Sequence, residues 1–404
     1  MTPEMKNMRI LALLVAVGLA LFSATEKLHA VGFLLPNQDP EAIARGDAFA
    51  ATADNPSAIY YNPAGITQMQ GYNVRVGLYE ISANTEYKSP SGASAHTDAD
   101  LQTVPQFYFV DSLTNLPLSF GLGVYAPYGL GQDWGINNPF QNVAESGNLL
   151  YACLNPVAAW RVCKTLSVAV GPTINYSRAE FNRAIFGYPT QFKFTGDAMG
   201  YGMNAGILWQ PDPKLSIGVN YRLATTLDYS GNIYIYNFPF LPAKSGAKAS
   251  INFPQYIVGG ISYRPTPKWN FEFDLNWADW SDVRQIPFQD STLGALPPLT
   301  LDMKSSFIYD FGVTRQLGRG YFVSVGYIYS ENSSPDANFS PLIPDANLSL
   351  GSVGFGHHGK HWDWAIAYHF AYGDRTVQND SNTAADGTYH TFNSAFNIAT
   401  TFKF

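Results

Sequence analysis

Charge is scarce in this chain. Asp, Glu, Lys and Arg make up 14% of its 404 residues, against about a quarter in an ordinary soluble domain. The net charge of −7 comes with no basic patch, which argues against a nucleic-acid partner. Cysteine is nearly absent too: Cys153 and Cys163 fall on one expected strand, roughly 33 Å apart along it. A disulfide needs Cα atoms within about 7 Å, so two free thiols are expected. After residue 30 no apolar run reaches eighteen residues, which excludes a helical membrane anchor. Catalytic signatures are missing: there is no Gly-x-Ser-x-Gly, no glycine-rich phosphate loop and no Cys-x-x-Cys. His357, His358 and His361 cluster on an expected solvated turn with only Asp363 nearby, so neither metal nor cofactor is expected.

What is present begins with an export signal. Lys6 and Arg9 precede the apolar run ILALLVAVGLALF, residues 10–22, and a small-residue site follows with cleavage expected at Ala30 or, alternatively, Ala24. That run rises only about 20 Å as a helix, short of the roughly 30 Å of a bilayer core. Residues 1–30 are therefore assigned to a signal peptide, 31–71 to an N-terminal plug and 72–404 to a barrel.

The barrel assignment rests on alternation at period two. In WNFEFDLNW, the large apolar Trp269, Phe271, Phe273, Leu275 and Trp277 alternate with Asn270, Glu272, Asp274 and Asn276. The same pattern runs from Leu166 to Tyr176, from Leu215 to Leu223 and from Trp362 to Phe370. Aromatic residues reach 15%, and an aromatic-rich outer face suits a wall in lipid with girdles at both interfaces. Backbone amides in a bilayer must pair internally, so such strands have to close on each other.

Six short turns, at 114–117, 163–165, 211–214, 265–268, 317–320 and 358–361, alternate with seven longer loops near 89–100, 126–147, 182–196, 231–247, 289–304, 331–346 and 376–387. The fold class expected is all-β, a 14-stranded antiparallel transmembrane β-barrel, with long loops outside and short turns in the periplasm. The last strand alternates Phe396, Ile398, Thr400, Phe402 and ends on Phe404, which is similar to the closing strand of bacterial outer-membrane barrels. Ahead of the strands, residues 44–65, ARGDAFAATADNPSAIYYNPAG, show no alternation and end in Asn62-Pro63-Ala64-Gly65. With both chain ends on the periplasmic side, this segment can enter the barrel from below as a plug with short helices.

The segment resembles the FadL/TodX family of outer-membrane hydrophobic-compound transporters. The resemblance is carried by Gly32-Phe33, Gly46, Ala48, Phe49, Ala53-Asp54 and Tyr61-Asn62-Pro63-Ala64-Gly65, then by LSFGLGVYAPYG at 118–129 and by Leu154-Asn-Pro-Val157 with Leu166-Ser-Val168. It implies a non-enzymatic, passive uptake of long-chain fatty acids or aromatic hydrocarbons across the Gram-negative outer membrane, with release sideways through the wall. A water-filled pore would serve such a cargo poorly, since about fifteen buried CH₂ groups are worth roughly 12 kcal/mol. The expected partners are the hydrophobic substrate, outer-membrane lipid and lipopolysaccharide, and the barrel-assembly machinery, with the chain a monomer.

Candidate residues follow. Asn62, Pro63, Ala64 and Gly65 are the expected plug motif, touching the wall. Gly121 and Gly123 are expected to interrupt strand pairing at a lateral opening. An external groove is expected from Phe181, Ile185, Phe186, Tyr188 and Phe192 with Tyr234, Ile235, Tyr236, Phe238, Phe240 and Leu241; the alternative is that these aromatics extend strands or sit in the upper girdle. Arg222 faces inward by parity and is the candidate partner for a carboxylate. The competing functions are a general porin and a membrane-embedded hydrolase, the latter lacking an identifiable Ser/His pair.

Overall fold

The computed structural model describes residues 34–98, 101–185, 190–378 and 383–404. The proposed signal peptide, Gly32-Phe33, Phe186 and Tyr188 lie outside the described residues. Among the described residues, twenty antiparallel β segments form one sheet that closes by pairing the first, Gly71–Lys88, with the last, Gly387–Lys403. Twelve of the segments are the halves of six interrupted strands, so the wall has fourteen strands.

Parity decides which side chains see lipid. Along Trp269–Ala278, Phe271 and Leu275 are exposed outward while Glu272, Asp274 and Asn276 are buried inward. On Leu166–Ala184, Val170, Ile174 and Tyr176 point out and Ser167, Thr173 and Asn175 point in. The six short turns sit where expected, between strands ending at Ser112, Cys163, Asp212, Thr266, Gly318 and His358 and their successors. Cys153 and Cys163 share the strand Ser146–Cys163 and are both free.

The longer connections depart from expectation. Strands continue to Ala184, resume at Gln191, run to Tyr236 and resume at Lys244, and Gln285–Asp290 pairs with Gly294–Thr300 over what reads as a loop. Aromatic and β-branched residues favour the pleated sheet, and backbone pairing continues beyond the apolar band. Phe181, Phe192, Tyr234, Ile235 and Tyr236 are therefore strand residues rather than loop residues.

Residues 34–70 fill the lumen. The first short helix, Pro40–Ile43, starts with Asp39 as its cap, whose carboxylate accepts from the Glu41 amide, and with Pro40 at the position where a missing N–H costs nothing. A second, Ala58–Tyr61, leads into a 3₁₀ turn, Pro63–Gln68, capped by the Asn62 side chain. Small residues let this compact path fit: a Cβ on Gly65 would stand 2.2 Å from the Ala53 carbonyl oxygen.

Candidate functional site

The plug is fastened by polar groups that alternate with the lipid-facing residues of the wall. Asp274 accepts from the Phe49 and Ala50 amides at 2.8 Å each, and Glu272 accepts from Ala51 at 2.8 Å and Thr52 at 2.9 Å. Arg75 pairs with Asp39 and, at 3.0 Å, with Glu41, which also meets His358 at 2.9 Å. Against burial, which pushes it up, His358 and then Arg75 hold the Glu41 carboxyl well below the usual carboxylate range. His358 thus serves the plug, and among the described residues no His, Cys, Asp and Glu group forms a metal site.

Asn62 joins plug to wall: its amide donates to the carbonyls of Ala50 (2.7 Å) and Ile207 (3.0 Å), and its oxygen accepts from Ala64 at 3.2 Å. Arg222 does point inward, yet it is spent on the plug and on Tyr125 of the wall. Its guanidinium lies 4.7 Å from the centre of the Tyr60 ring and 5.5 Å from that of Tyr125, and it donates to the Tyr125 hydroxyl (3.2 Å) and the Tyr60 carbonyl (3.4 Å). With Asp47, Asp274 and Asp310 it lines a small cavity of about 20 Å³.

The wall is broken in the third strand, but not at the glycines. Gly121 pairs with Val110 and Val157, and Gly123 with Tyr108 and Asn155, so both make regular ladders on both sides. Glycine weakens a strand without removing its N–H, whereas proline removes it. The strand Leu118–Tyr125 leaves the sheet at Ala126, Pro127, Tyr128 and Gly129 and resumes as Leu130–Asp133. Opposite, residues 101–106 of the second strand pair, among the described residues, with the first strand and not with the third. The resulting gap extends roughly 20 Å along the wall.

Residues 34–38 stitch this gap. Leu34 bridges Tyr128, the Leu35 backbone amide donates to the Pro127 carbonyl at 2.9 Å, and the Gln38 side-chain Nε2 donates to the Ala126 carbonyl at 2.8 Å. From the second strand, Gln106 donates to the Asn37 carbonyl (3.2 Å) and Tyr108 to that of Gln38 (3.1 Å). Leu34, Leu35, Pro36 and Asn37 also line a chamber of about 110 Å³. Its walls include Ile81, Trp280, Met303, Ile308, Ile328, Ile343, Leu348 and Leu350, with Tyr79, His369 and Asn393 as polar members.

Above it lies an apolar cavity of about 50 Å³, lined by Leu149, Phe181, Phe194, Ile251, Ile286, Phe288, Leu342 and Ile343. Ile343 belongs to both linings. Phe181, Phe192 and Phe194 gather on Phe288, with ring centroids 5.3 to 6.1 Å from it. The groove residues of the sequence therefore separate. Phe181, Phe192 and Ile235 are buried inside, whereas Tyr234 and Tyr236 stand on the opposite face of their strand, stacked on each other at 6.2 Å. Phe240 is 85% exposed, and Phe238, Ile185 and Leu241 are half-buried. Phe194 and Phe288 are inward strand residues that the sequence reading did not single out, Phe194 because it fell in an expected loop; Leu342 and Ile343 sit in a loop with no periodic signal.

The family model described as "Outer membrane protein transport protein (OMPP1/FadL/TodX)" matches residues 21–404. The chain belongs to the OMPP1/FadL/TodX family. As a member it is an outer-membrane barrel. Among relatives of this family, the long-chain fatty acid transport protein of Escherichia coli (strain K12) is 23% identical over 437 aligned positions, covering 95% of this chain and 97% of that protein. The crystal structure of a Pseudomonas aeruginosa FadL homologue superposes with a TM-score of 0.83 at 15% identity, over 92% of this chain and 100% of that one. The Pseudomonas putida toluene transporter TodX gives 0.75 at 15% identity, over 93% and 100%. These two structures show the fold.

One plug carboxyl makes the seating of residues 34–38 sensitive to pH. Asp47 accepts from the Asn37 amide at 2.5 Å and from the Tyr61 hydroxyl at 2.9 Å. Burial, with a further push from Asp39, raises it to about 7 against those donations; Asp274, Asp310 and Arg222 share its cavity. In water the same carboxyl titrates near about 4. The seated plug therefore holds a proton that the displaced plug loses, and seating is firmest near pH 4 and weakens as pH rises through 7. Protease accessibility of the plug is expected to rise from pH 5 to pH 8 in the wild type and to rise less steeply in Asp47→Asn, where only His358, held up to about 9 by Glu41 against burial, still loses its proton. Equal slopes in both proteins would remove Asp47 from this role.

Proposed function

We propose that the chain takes up hydrophobic compounds passively across the outer membrane and releases them sideways into it. The observation that carries this reading is the double use of residues 34–38: Leu34 to Asn37 form part of the chamber lining, and the segment closes the gap in the third strand. An apolar molecule captured among Phe181, Phe194 and Phe288 passes Ile343 into the chamber. It then leaves through the wall when residues 34–38 move. At about 25 cal/mol per Å² of apolar surface, staying out of water along this route is favourable at every stage. Lipid and lipopolysaccharide flank the gap, while the outward Tyr234 and Tyr236 face that surround elsewhere on the wall. The names of the relatives, a fatty-acid transport protein and a toluene transporter, agree with a hydrophobic cargo.

The test is uptake into vesicles carrying the purified protein, with labelled toluene and labelled sucrose compared. Toluene uptake above protein-free vesicles, with no sucrose entry, is expected; sucrose entry faster than toluene would show a general porin instead. Ile343→Trp, which overfills the shared boundary between the two cavities, is expected to slow toluene uptake at least fivefold with the barrel intact. Unchanged uptake would take Ile343 off the route.

A further inference from the structure

The chamber carries two buried polar atoms without protein partners: His369 Nδ1 and Asn393 Oδ1. Both residues point inward, at 2% and 3% exposure. They sit on paired strands, where His369 stands opposite Ala395, two residues from Asn393. They are thus diagonal neighbours, about 7 to 8 Å apart at Cα, which lets the two side chains converge on one ligand atom. The other His369 nitrogen, Nε2, is 3.1 Å from the Tyr79 hydroxyl, which also reaches Asn37 at 3.4 Å.

That pairing leaves both imidazole tautomers open. If Tyr79 donates to Nε2, Nδ1 carries the proton and donates into the chamber. If Tyr79 donates to Asn37, Nε2 donates to the Tyr79 oxygen and Nδ1 becomes an acceptor. A ligand hydroxyl donates and accepts, so it satisfies either state together with the Asn393 oxygen. A carboxylate only accepts, and it cannot take a hydrogen bond from the Asn393 oxygen.

Charge and size narrow the ligand further. Among the described residues no lysine or arginine lines the chamber, while Glu331 and Asp345 do. Arg222 lines the separate small cavity below. An anionic head would therefore meet two carboxylates and no cation among the lining residues, with Arg375 already engaged by the Asp345 carbonyl and by Asp336. A cavity of about 150 Å³ holds one benzene ring, so about 110 Å³ limits the occupant to roughly one ring or its equivalent.

We propose that the chamber is a binding site for neutral one-ring hydroxy compounds, phenols and aromatic alcohols, in preference to fatty carboxylates. This rests on the transport reading for its route but not for its chemistry. The test uses the full mature barrel in detergent at pH 8, with 4-methylphenol, toluene and octanoate as probes in equilibrium dialysis. The wild type is expected to bind 4-methylphenol at least tenfold tighter than octanoate. His369→Phe should weaken 4-methylphenol about five- to tenfold and leave toluene within twofold, and His369→Asn should recover part of the loss. Octanoate binding as tightly as 4-methylphenol, or His369→Phe weakening toluene and 4-methylphenol equally, would overturn the assignment. Vesicle uptake separates the two readings. Toluene uptake without a binding preference for 4-methylphenol sinks only the ligand class. Failure to transport any probe, with the binding preference intact, sinks only the transport reading.

Discussion

Arg75→Ala is expected to unfasten the N-terminal half of the plug while the barrel stays assembled. Arg75 is fully buried and holds two carboxylates at once, Asp39 and Glu41, besides donating to Thr401 at 2.7 Å. Removing one partner of a buried ionic group strands the other charge, at a cost of about 3 to 5 kcal/mol. Here two carboxylates lose their partner, and only Glu41 keeps a second one in His358. The barrel itself is a closed ladder of backbone hydrogen bonds that Arg75→Ala leaves intact, the wall losing only the side-chain bond to Thr401. The released free energy therefore appears as displacement of the plug. Cleavage within residues 34–70 by added protease should accelerate about a hundredfold or more at 1.4 kcal/mol per decade, and single-channel current should appear in planar bilayers. Arg75→Lys keeps the charge but loses the fork that spans both carboxylates, so it should fall between. Wild-type protease resistance in Arg75→Ala would mean that the Asp274 and Glu272 contacts alone seat the plug.

The barrel could be read from the sequence because parity is a local property. Alternation through Trp269 to Trp277 shows at once that Phe271 meets lipid and that Glu272 and Asp274 face the lumen. What those carboxylates do could not be read, since their partners, the amides of Phe49 to Thr52, lie more than two hundred positions away. The break in the third strand was within reach and misplaced by a few residues. The stretch LSFGLGVYAPYG contains two glycines that keep their hydrogen bonds and one proline that cannot make its own; the chemistry of Pro127 was the better guide. The aromatic groove was read as loops because an exposed apolar patch marks a binding site, but in this barrel the ladder continues through Phe181, Phe192 and Tyr234 to Tyr236, the alternative reading. Parity then divides Ile235, inside, from Tyr234 and Tyr236, outside. His369 was visible as an inward residue on the alternating strand from Trp362. Its open nitrogen depends on the Tyr79 contact, made by a residue 290 positions away.

The central claim is that residues 34–38 are the moving part. Leu34 and Tyr128 are antiparallel bridge partners, and such pairs stand about 4.5 to 5.5 Å apart at Cα, within the range a disulfide accepts. Leu34→Cys with Tyr128→Cys, made in a Cys163→Ser background because Cys163 is exposed and Cys153 buried, should lock the segment across the gap. Toluene uptake by vesicles is the measurement. The oxidised protein, with the cross-link verified by mass, is expected to lose at least nine-tenths of its uptake and to regain it on reduction. Undiminished uptake by the fully cross-linked protein would contradict the account.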